Sequence, residues 1–177
     1  LSIWLLIIAL IFIPLERLFA KNKQRIFRDE FWIDFTYYFV NKMLLTIFLS
    51  IPLAIVAKLV LRYEPSIMYT WAANLSTPSR LLLAIVVGEF FTYWMHRWQH
   101  EVPWLWKFHA IHHSAKEMDW LVNTRAHPVD MFLNRLSGLI PLYMLGLAQV
   151  SSNEFDLLPM YYSFVGTLQS FLVHANV

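Results

Sequence analysis

Five of the seven histidines in this chain lie within one short stretch, at spacings that suit metal binding. They are His96, His100, His109, His112 and His113. Residues four apart on a helix share a face, so His96 and His100 can point at one ion, as can His109 with His112 and His113. Two facing helical clusters of this kind could hold two metals. A single buried histidine is usually a hydrogen-bonded core residue, but five at ligand spacing favour iron, copper or zinc.

The neighbouring residues exclude other metal chemistries. The helix of a zinc protease needs a glutamate directly after its first histidine as general base, and Arg97 occupies that position. The chain has no cysteine, which excludes disulfides, cysteine-ligated iron–sulfur clusters and thiolate-ligated haem. A redox metal here must therefore be held by nitrogen and oxygen ligands.

The composition is that of a membrane protein. Hydrophobic residues make up 58% of the chain and aromatic residues 17%, and the length fits a single membrane domain over residues 1–177. The net charge of +2 is too small to predict nucleic-acid binding. The basic residues near the N-terminus instead form a loop that the positive-inside rule places in the cytoplasm. These residues are Arg17, Lys21, Lys23, Arg25 and Arg28.

Apolar runs predict an all-α fold, an integral membrane bundle of about four to five transmembrane helices with a histidine-rich cap on its cytoplasmic side. The predicted spans are 1–15, 43–61, 81–95, 136–147 and 157–173, with the last two joined by a polar turn at 149–156. Residues 29–41 are expected to lie along the headgroup region and Pro52 to kink the second span. Residues 114–134 are too polar to span and are expected to fold over the cytoplasmic face. Counting the spans returns His174 to the same side as the other histidines.

Several polar residues and glycines are assigned supporting roles. Glu89, at membrane depth, needs either a histidine ring N–H or a partner on a neighbouring helix. Gly138, Gly146 and Gly166 are expected to permit close helix contacts. Arg97 and Arg125 are expected to pair with Glu101, Glu117, Asp119 or Asp130, whereas Asp119 and Asn123 are candidates for orienting histidine rings. The nearby aromatic residues either anchor the chain at the membrane interface or line a substrate tunnel; they are Tyr93, Trp94, Trp98, Trp104, Trp106 and Trp120.

A longer motif surrounds the histidines. Residues 89–113 read E-F-F-T-Y-W-M-H-R-W-Q-H-E-V-P-W-L-W-K-F-H-A-I-H-H, and R-A-H-P-V-D follows at 125–130. The order H-x-x-x-H, L-W-x-x-H, H-x-x-H-H and H-P-V-D resembles the integral-membrane fatty acid hydroxylase and sterol desaturase superfamily. The resemblance implies a di-iron centre with the five histidines as ligands. It also implies that His174, which is similar to the isolated histidine after the family's last hairpin, is a ligand, and that His127 either binds metal or orients a ligand.

The same resemblance implies an enzyme that uses O2 to hydroxylate or desaturate a lipid, either a sterol or a fatty acyl chain, in lipid biosynthesis. The H-P-V-D motif favours sterol-desaturase-like members. The chain carries no flavin or nicotinamide motif, so an external electron-donor protein is expected. The final H-x-x-H-H box of the family is absent from this sequence, so we expect a fragment whose own site is incomplete. The expected location is the bacterial inner membrane or the endoplasmic reticulum.

Two other classes of protein remain as alternatives. A membrane metal-binding or metal-transport protein would spread its ligands through the depth of the spans, whereas these histidines gather at one boundary. A zinc-dependent membrane hydrolase would want a glutamate where Arg97 lies, and the sequence has no G-x-S-x-G motif.

Overall fold

The computed structural model describes residues 2–63, 66–148 and 157–177. Within these ranges the chain forms α-helices and 3₁₀ turns and no strand, which confirms the predicted all-α fold. The helices are α1 (Ser2–Leu18), α2 (Phe31–Tyr63), α3 (Ser66–Ala73), α4 (Thr77–Glu101), α5 (Pro103–His109), α6 (Pro128–Met144) and α7 (Leu158–Leu172). Two 3₁₀ turns, His112–Ser114 and Trp120–Thr124, lie between α5 and α6.

Helix α2 unites the predicted headgroup segment and the second predicted span in one helix of 33 residues. Pro52 has no N–H to donate to the carbonyl of Phe48, which weakens the helix at this turn. The two arms, Phe31–Phe48 and Ser50–Leu59, meet at a bend of 42°. The kink predicted from Pro52 is therefore present.

Taken singly, none of the helices in the described ranges is both long and apolar enough to cross a membrane, and the two arms of α2 meet that criterion only together. The predicted membrane bundle thus stays a prediction.

Helix α4 carries His96 and His100. The Ser76 side chain caps its start by accepting from the Ser79 N–H, and Pro78 occupies the first turn. The helix continues beyond the predicted end at residue 95 to Glu101. Val102 is then extended, as expected for a residue before proline, so α5 starts at Pro103 in a new direction and packs against α4.

The core lies between α4, α6 and α7 and between α1, α2 and the Trp120–Thr124 turn. Helix α4 packs against α6 and α7, while α2 packs against α6 and that turn. One apolar cluster joins Ile8 and Phe12 of α1 to Leu121 and Phe171. A second cluster fills the space between α3, α4, α6 and α7. Helix α6 starts earlier than the predicted span at 136–147, and the predicted turn at 149–156 lies outside the described residues.

The glycines differ in what surrounds them. A Cβ on Gly138 would lie 3.0 Å from Thr92 Oγ1, so the close contact predicted there is confirmed. Gly166 has no described atom within 4 Å of such a Cβ, so the same prediction for Gly166 is wrong. Gly146 has a φ of 68° in the turn after α6, a conformation that favours glycine. The tightest approach was not predicted: a Cβ on Gly88 would lie 2.2 Å from Tyr162 Oη.

Candidate metal centre

Four histidines from three elements converge at the end of α4. His96 and His100 lie one turn apart on α4, His109 is the last residue of α5, and His113 lies in the following 3₁₀ turn. Their candidate ligand atoms all lie within 4.8 Å of one another. The Nε2 atoms of His96 and His100 are 3.2 Å apart, and those of His109 and His113 are 3.1 Å apart. We call this set the four-histidine group.

His112 turns away from the four-histidine group and meets His174, which follows α7. Their Nε2 atoms are 2.8 Å apart, and we call these two residues the histidine pair. The ring centroids of His112 and His113 are 5.2 Å apart, so consecutive residues place the two sets side by side. His109 and His113 lie together as predicted, but not on one helical face, because α5 ends at His109 and His112–Ser114 forms a 3₁₀ turn. The prediction that His112 joins them is wrong.

Hydrogen bonds fix the tautomer of three of these rings. His109 Nδ1–H donates to Asp130 Oδ1 over 3.0 Å. The Nδ1–H groups of His112 and His174 donate to the carbonyls of Arg125 and Ser170, over 2.9 and 2.7 Å. Because a carboxylate and a carbonyl only accept, the proton of each neutral ring lies on Nδ1, and Nε2 keeps its lone pair. This is the arrangement of metal-binding histidines, whose second nitrogen is held by an oxygen acceptor.

The separation of the two Nε2 atoms in the histidine pair suits a shared cation. Two unprotonated Nε2 atoms at 2.8 Å repel each other unless a positive charge lies against both. Metal–imidazole bonds of about 2.0–2.1 Å place two ligand nitrogens on one ion roughly 3 Å apart. Burial, followed by the nearby His174 ring, lowers the pKa of His112 to about 4. Burial also lowers the pKa of His113 and of His174, so these rings are neutral at neutral pH.

Amide side chains between α4 and α6 hold the acceptor of His109 in place. Gln99 lies between the two α4 histidines in sequence and is buried, with its Nε2 3.4 Å from the Asp130 carbonyl. Asn134 Nδ2 donates to both Gln99 Oε1 and the Asp130 carbonyl. The position of the Asp130 carboxylate against His109 therefore depends on contacts between the two helices.

A family comparison covers the whole of this site. A model of the fatty acid hydroxylase family matches residues 81–177, more than half of the chain and the range that contains all seven histidines. The chain belongs to the fatty acid hydroxylase family. It is also 34% identical over 134 residues to the ornithine lipid hydroxylase OlsE of Rhizobium tropici. That match covers 72% of this chain and 36% of the relative, so the chain spans about a third of the relative's length. No solved structure matches the chain.

In this member of the family, His127 caps a helix and lies outside both histidine sets. Its Nδ1 accepts from the Val129 N–H over 3.1 Å, at the start of α6. Its ring packs against Phe108, with 4.9 Å between centroids. Because Asp130 lies in the first turn of α6, His127 contributes to the position of the acceptor that holds His109.

The partners of the charged residues differ in part from those expected. Glu89 accepts from Gln169 of α7 over 3.0 Å, which matches the neighbouring-helix role of the two predicted for it. Arg97 pairs with Glu101 at 2.8 Å, as predicted. The prediction for Arg125 is wrong, since its side chain pairs with Asp34 and Glu30, which precede it by about ninety residues.

The two residues expected to orient rings act elsewhere or indirectly. Asp119 accepts from the N–H groups of the Trp120–Thr124 turn and pairs with Arg28, so the predicted contact with a histidine is wrong. Asn123 accepts from the Ser170 hydroxyl over 2.8 Å, and the Ser170 carbonyl holds His174. Among the aromatic residues, Trp106 lies 5.6 Å from both His100 and His113 by ring centroids. Trp120 is instead part of the buried core.

Sequence reasoning did not identify three of the residues that support the site. The sequence predicts Asp130 only as a partner for arginine, although it follows a helix cap in H-P-V-D. Gln99 could have been recognised because it is an amide residue between two histidines of the same helix. Asp34 could have been recognised because it is a carboxylate in an otherwise aromatic segment. It pairs with Arg125, whose carbonyl accepts from His112.

Proposed function

We propose that this chain supplies six histidine ligands to the di-iron centre of a membrane lipid hydroxylase that uses O2. The observation that carries the proposal is the division of six histidines into the four-histidine group and the adjacent histidine pair. Each set presents neutral nitrogen donors, which suit iron, and the junction at His112 and His113 keeps the two sets close. His127 is not needed as a ligand in this arrangement.

The protein's own contribution is to hold the donors and to admit the lipid. When bound, iron would supply the activation of O2 and the removal of hydrogen from an unactivated C–H bond. Asp130 and the carbonyls of Arg125 and Ser170 keep three rings in the ligand tautomer. Buried contacts behind these acceptors fix the rings before any ion binds, which favours a defined geometry.

A membrane location is supported by the outer faces of the helices. Leu10 of α1, Phe48 and Ile51 of α2 and Leu82 of α4 are each more than half exposed, which suits contact with acyl chains. The basic loop after α1 lies at the histidine end, since Gln24 donates to the Met118 carbonyl over 2.7 Å. By the positive-inside rule, that end of the proposed multi-pass protein faces the cytoplasm, where an external electron-donor protein can reach it.

The proposed substrate is a lipid with an acyl chain, and the proposed reaction is hydroxylation. Both comparisons are with hydroxylases, one of which is named for ornithine lipid. They favour hydroxylation over desaturation, a choice that the sequence alone leaves open. Ornithine lipid is therefore the first substrate to test, followed by fatty acyl lipids and sterols.

Metal content tests the centre. The full-length protein is purified in detergent from iron-supplemented cells, beside His109→Ala and the matched control Glu101→Gln. Glu101 is exposed on the same helix and pairs with Arg97. We expect two irons per chain in the wild type and in Glu101→Gln, and loss of iron in His109→Ala. One zinc per chain, or metal content unchanged by His109→Ala, would contradict the proposal and favour a hydrolase or a transport protein.

Product analysis tests the reaction. Cells that express the full-length protein are fed ornithine lipid, fatty acyl lipids or sterols, and extracts are compared by mass spectrometry with cells that express His109→Ala. We expect a gain of one oxygen atom in one lipid class in the wild type alone. Loss of two hydrogen atoms would show a desaturase instead. No product from an iron-loaded enzyme with a competent electron donor would contradict the proposed activity.

A further inference from the structure

One face of α2 carries three buried residues at helical spacing. Tyr38 and Asn41 follow Asp34 by four and seven residues on the helix, so the three side chains point in the same direction. Asp34 is fully buried and Asn41 nearly so. A buried carboxylate and a buried amide are costly unless they are hydrogen-bonded, so their partners define what this face holds.

The partners of Asn41 lie on both sides of Arg125. Asn41 Nδ2 donates to the carbonyls of Thr124 and Ala126, over 3.0 and 2.8 Å. Thr124 Oγ1 in turn donates to the backbone carbonyl of Asp34 over 2.8 Å. The carbonyl groups of the two residues that flank Arg125 are thus fixed to α2.

The partners of the Arg125 side chain also come from the segment around the start of α2. Its Nε pairs with Asp34 Oδ1, and its Nη1 lies 2.9 Å from Glu30 Oε2. A planar guanidinium held by two carboxylates cannot rotate freely. With its side chain and the carbonyls of both neighbouring residues fixed, the carbonyl of Arg125 has a defined direction.

That carbonyl accepts the Nδ1–H of His112, over 2.9 Å. The bond sets both the tautomer of His112 and the direction of Nε2 towards His174. The four-histidine group is supported differently, by Asp130 of α6 behind His109 and by the α4 backbone beneath His96 and His100. Apart from His113, which follows His112 in the same 3₁₀ turn, the two sets of histidines therefore have separate supports.

We propose that Asp34 and Asn41 are positioning residues for His112 that control metal binding at the histidine pair and leave the four-histidine group largely unaffected. The inference rests on the proposed function, because it requires that both sets bind metal. Both residues lie outside the part of the chain that the family model matches, residues 81–177. Helix α2 would thus support a site whose proposed ligands in this chain all belong to the matched part.

Metal titration separates the two sets. The full-length protein is stripped of metal and titrated with Co²⁺, which is followed by its visible absorption and by calorimetry. We compare the wild type with Asp34→Asn, Asn41→Asp and the control Gln24→Ala. Gln24 also joins the N-terminal segment to the same loop, through the Met118 carbonyl, but does not contact Arg125 or its neighbours. Asn41→Asp keeps the side-chain shape, removes the donor and places a carboxylate against two carbonyls.

We expect the wild type and Gln24→Ala to bind two Co²⁺ ions. In Asp34→Asn and Asn41→Asp one ion should bind as in the wild type and the other about 10- to 100-fold more weakly, the usual effect of losing a contact behind a ligand. Thermal unfolding of each metal-free protein shows whether it is folded. Asp34→Asn places an uncharged side chain beside two arginines and carries the greater risk of misfolding, so Asn41→Asp decides the result if Asp34→Asn does not fold.

Three results would overturn the inference. If folded Asn41→Asp bound both Co²⁺ ions with wild-type affinity, α2 would not position His112. Equal weakening of both ions would show a general structural role without selectivity. Absence of metal binding in the wild type would overturn the proposed function and this inference with it, and the wild-type titration distinguishes that failure from the other two.

Discussion

Asp130 determines which nitrogen of His109 is available to a metal. Its carboxylate accepts from Nδ1–H over 3.0 Å, and both side chains are nearly inaccessible to solvent. An anionic acceptor raises the basicity of the ring and holds its orientation. Without the negative charge, His109 would remain in place but bind metal less strongly.

We therefore predict that Asp130→Asn lowers metal affinity at the four-histidine group by about 10- to 100-fold, the range seen when such partners are mutated. The asparagine Oδ1 still accepts the hydrogen bond, so the fold should persist. Metal titration of the stripped protein measures the effect, with Glu101→Gln as the control. Equal affinities in Asp130→Asn and Glu101→Gln would contradict a role for the carboxylate charge.

His127 is predicted to act through helix capping and not as a ligand. His127→Asn should preserve the cap on Val129 N–H, while His127→Ala should destabilise the protein by about 1 kcal/mol, the usual cost of losing a cap. Both variants should keep two metals per chain. Denaturant unfolding and metal analysis test the two statements together, and loss of one metal in His127→Asn would instead show that His127 is a ligand.

At the scale of elements, the approach of α7 to α4 depends on Gly88. A Cβ there would meet Tyr162 Oη at 2.2 Å, whereas Gly166 on α7 has space around it within the described residues. We predict that Gly88→Ala destabilises the protein by about 1–3 kcal/mol through overpacking. Gly166→Ala should stabilise it by up to about 1 kcal/mol, because alanine is the better helix former.

Denaturant unfolding in detergent measures both glycine variants. The double variant Gly88→Ala with Tyr162→Phe lacks the nearest clashing atom, so it should be less destabilised than the sum of its single variants. An additive result would show that the hydroxyl is not the cause. A stabilising Gly88→Ala would show that α7 moves away without cost.

The helices themselves could be predicted because their causes are local. The apolar runs, the start of α4 near Pro78 and the kink near Pro52 all follow from residues within a few positions of the effect. The division of the histidines into two sets could not be predicted from spacing. It depends on the change of chain direction at Val102, before Pro103, and on His174, which follows α7. The partners of Arg125 lie at the start of α2, a separation that no periodic pattern shows.

At the scale of the whole molecule, the N-terminal part of the chain is joined by hydrogen bonds and ion pairs to residues 81–177, the part that the family model matches. Glu16 Oε1 accepts from the N–H groups of Trp120 and Asn176, and Asn176 binds Asn22 through its side chain. Arg28 then joins Asp34 of α2 to Asp119 in the loop before the Trp120–Thr124 turn. These contacts surround His174 and the loop behind His112, so the N-terminal part contributes to the site as well as to the fold.

Arg28 is the charged centre of this connection and gives the clearest test of it. Burial alone would lower its pKa, but its hydrogen bonds with Asp119 and Asp34 raise that pKa above the usual value, so the guanidinium stays charged. Arg28→Met would leave two carboxylates buried with fewer partners. Removing one partner of a buried ion pair costs about 3–5 kcal/mol.

The matched comparison is Arg97→Met, which breaks a pair whose side chains are 48% and 55% exposed. An exposed pair contributes about 0–1 kcal/mol, so this variant should unfold almost like the wild type. Denaturant unfolding in detergent at low and high salt measures both. If the two arginine variants lost equal stability, or if Arg28→Met were neutral, the N-terminal part would not hold the histidine-bearing part through this network. A large loss of stability in Arg28→Met alone, nearly independent of salt, is the result expected of a buried charge that joins the N-terminal part to the histidine-bearing part.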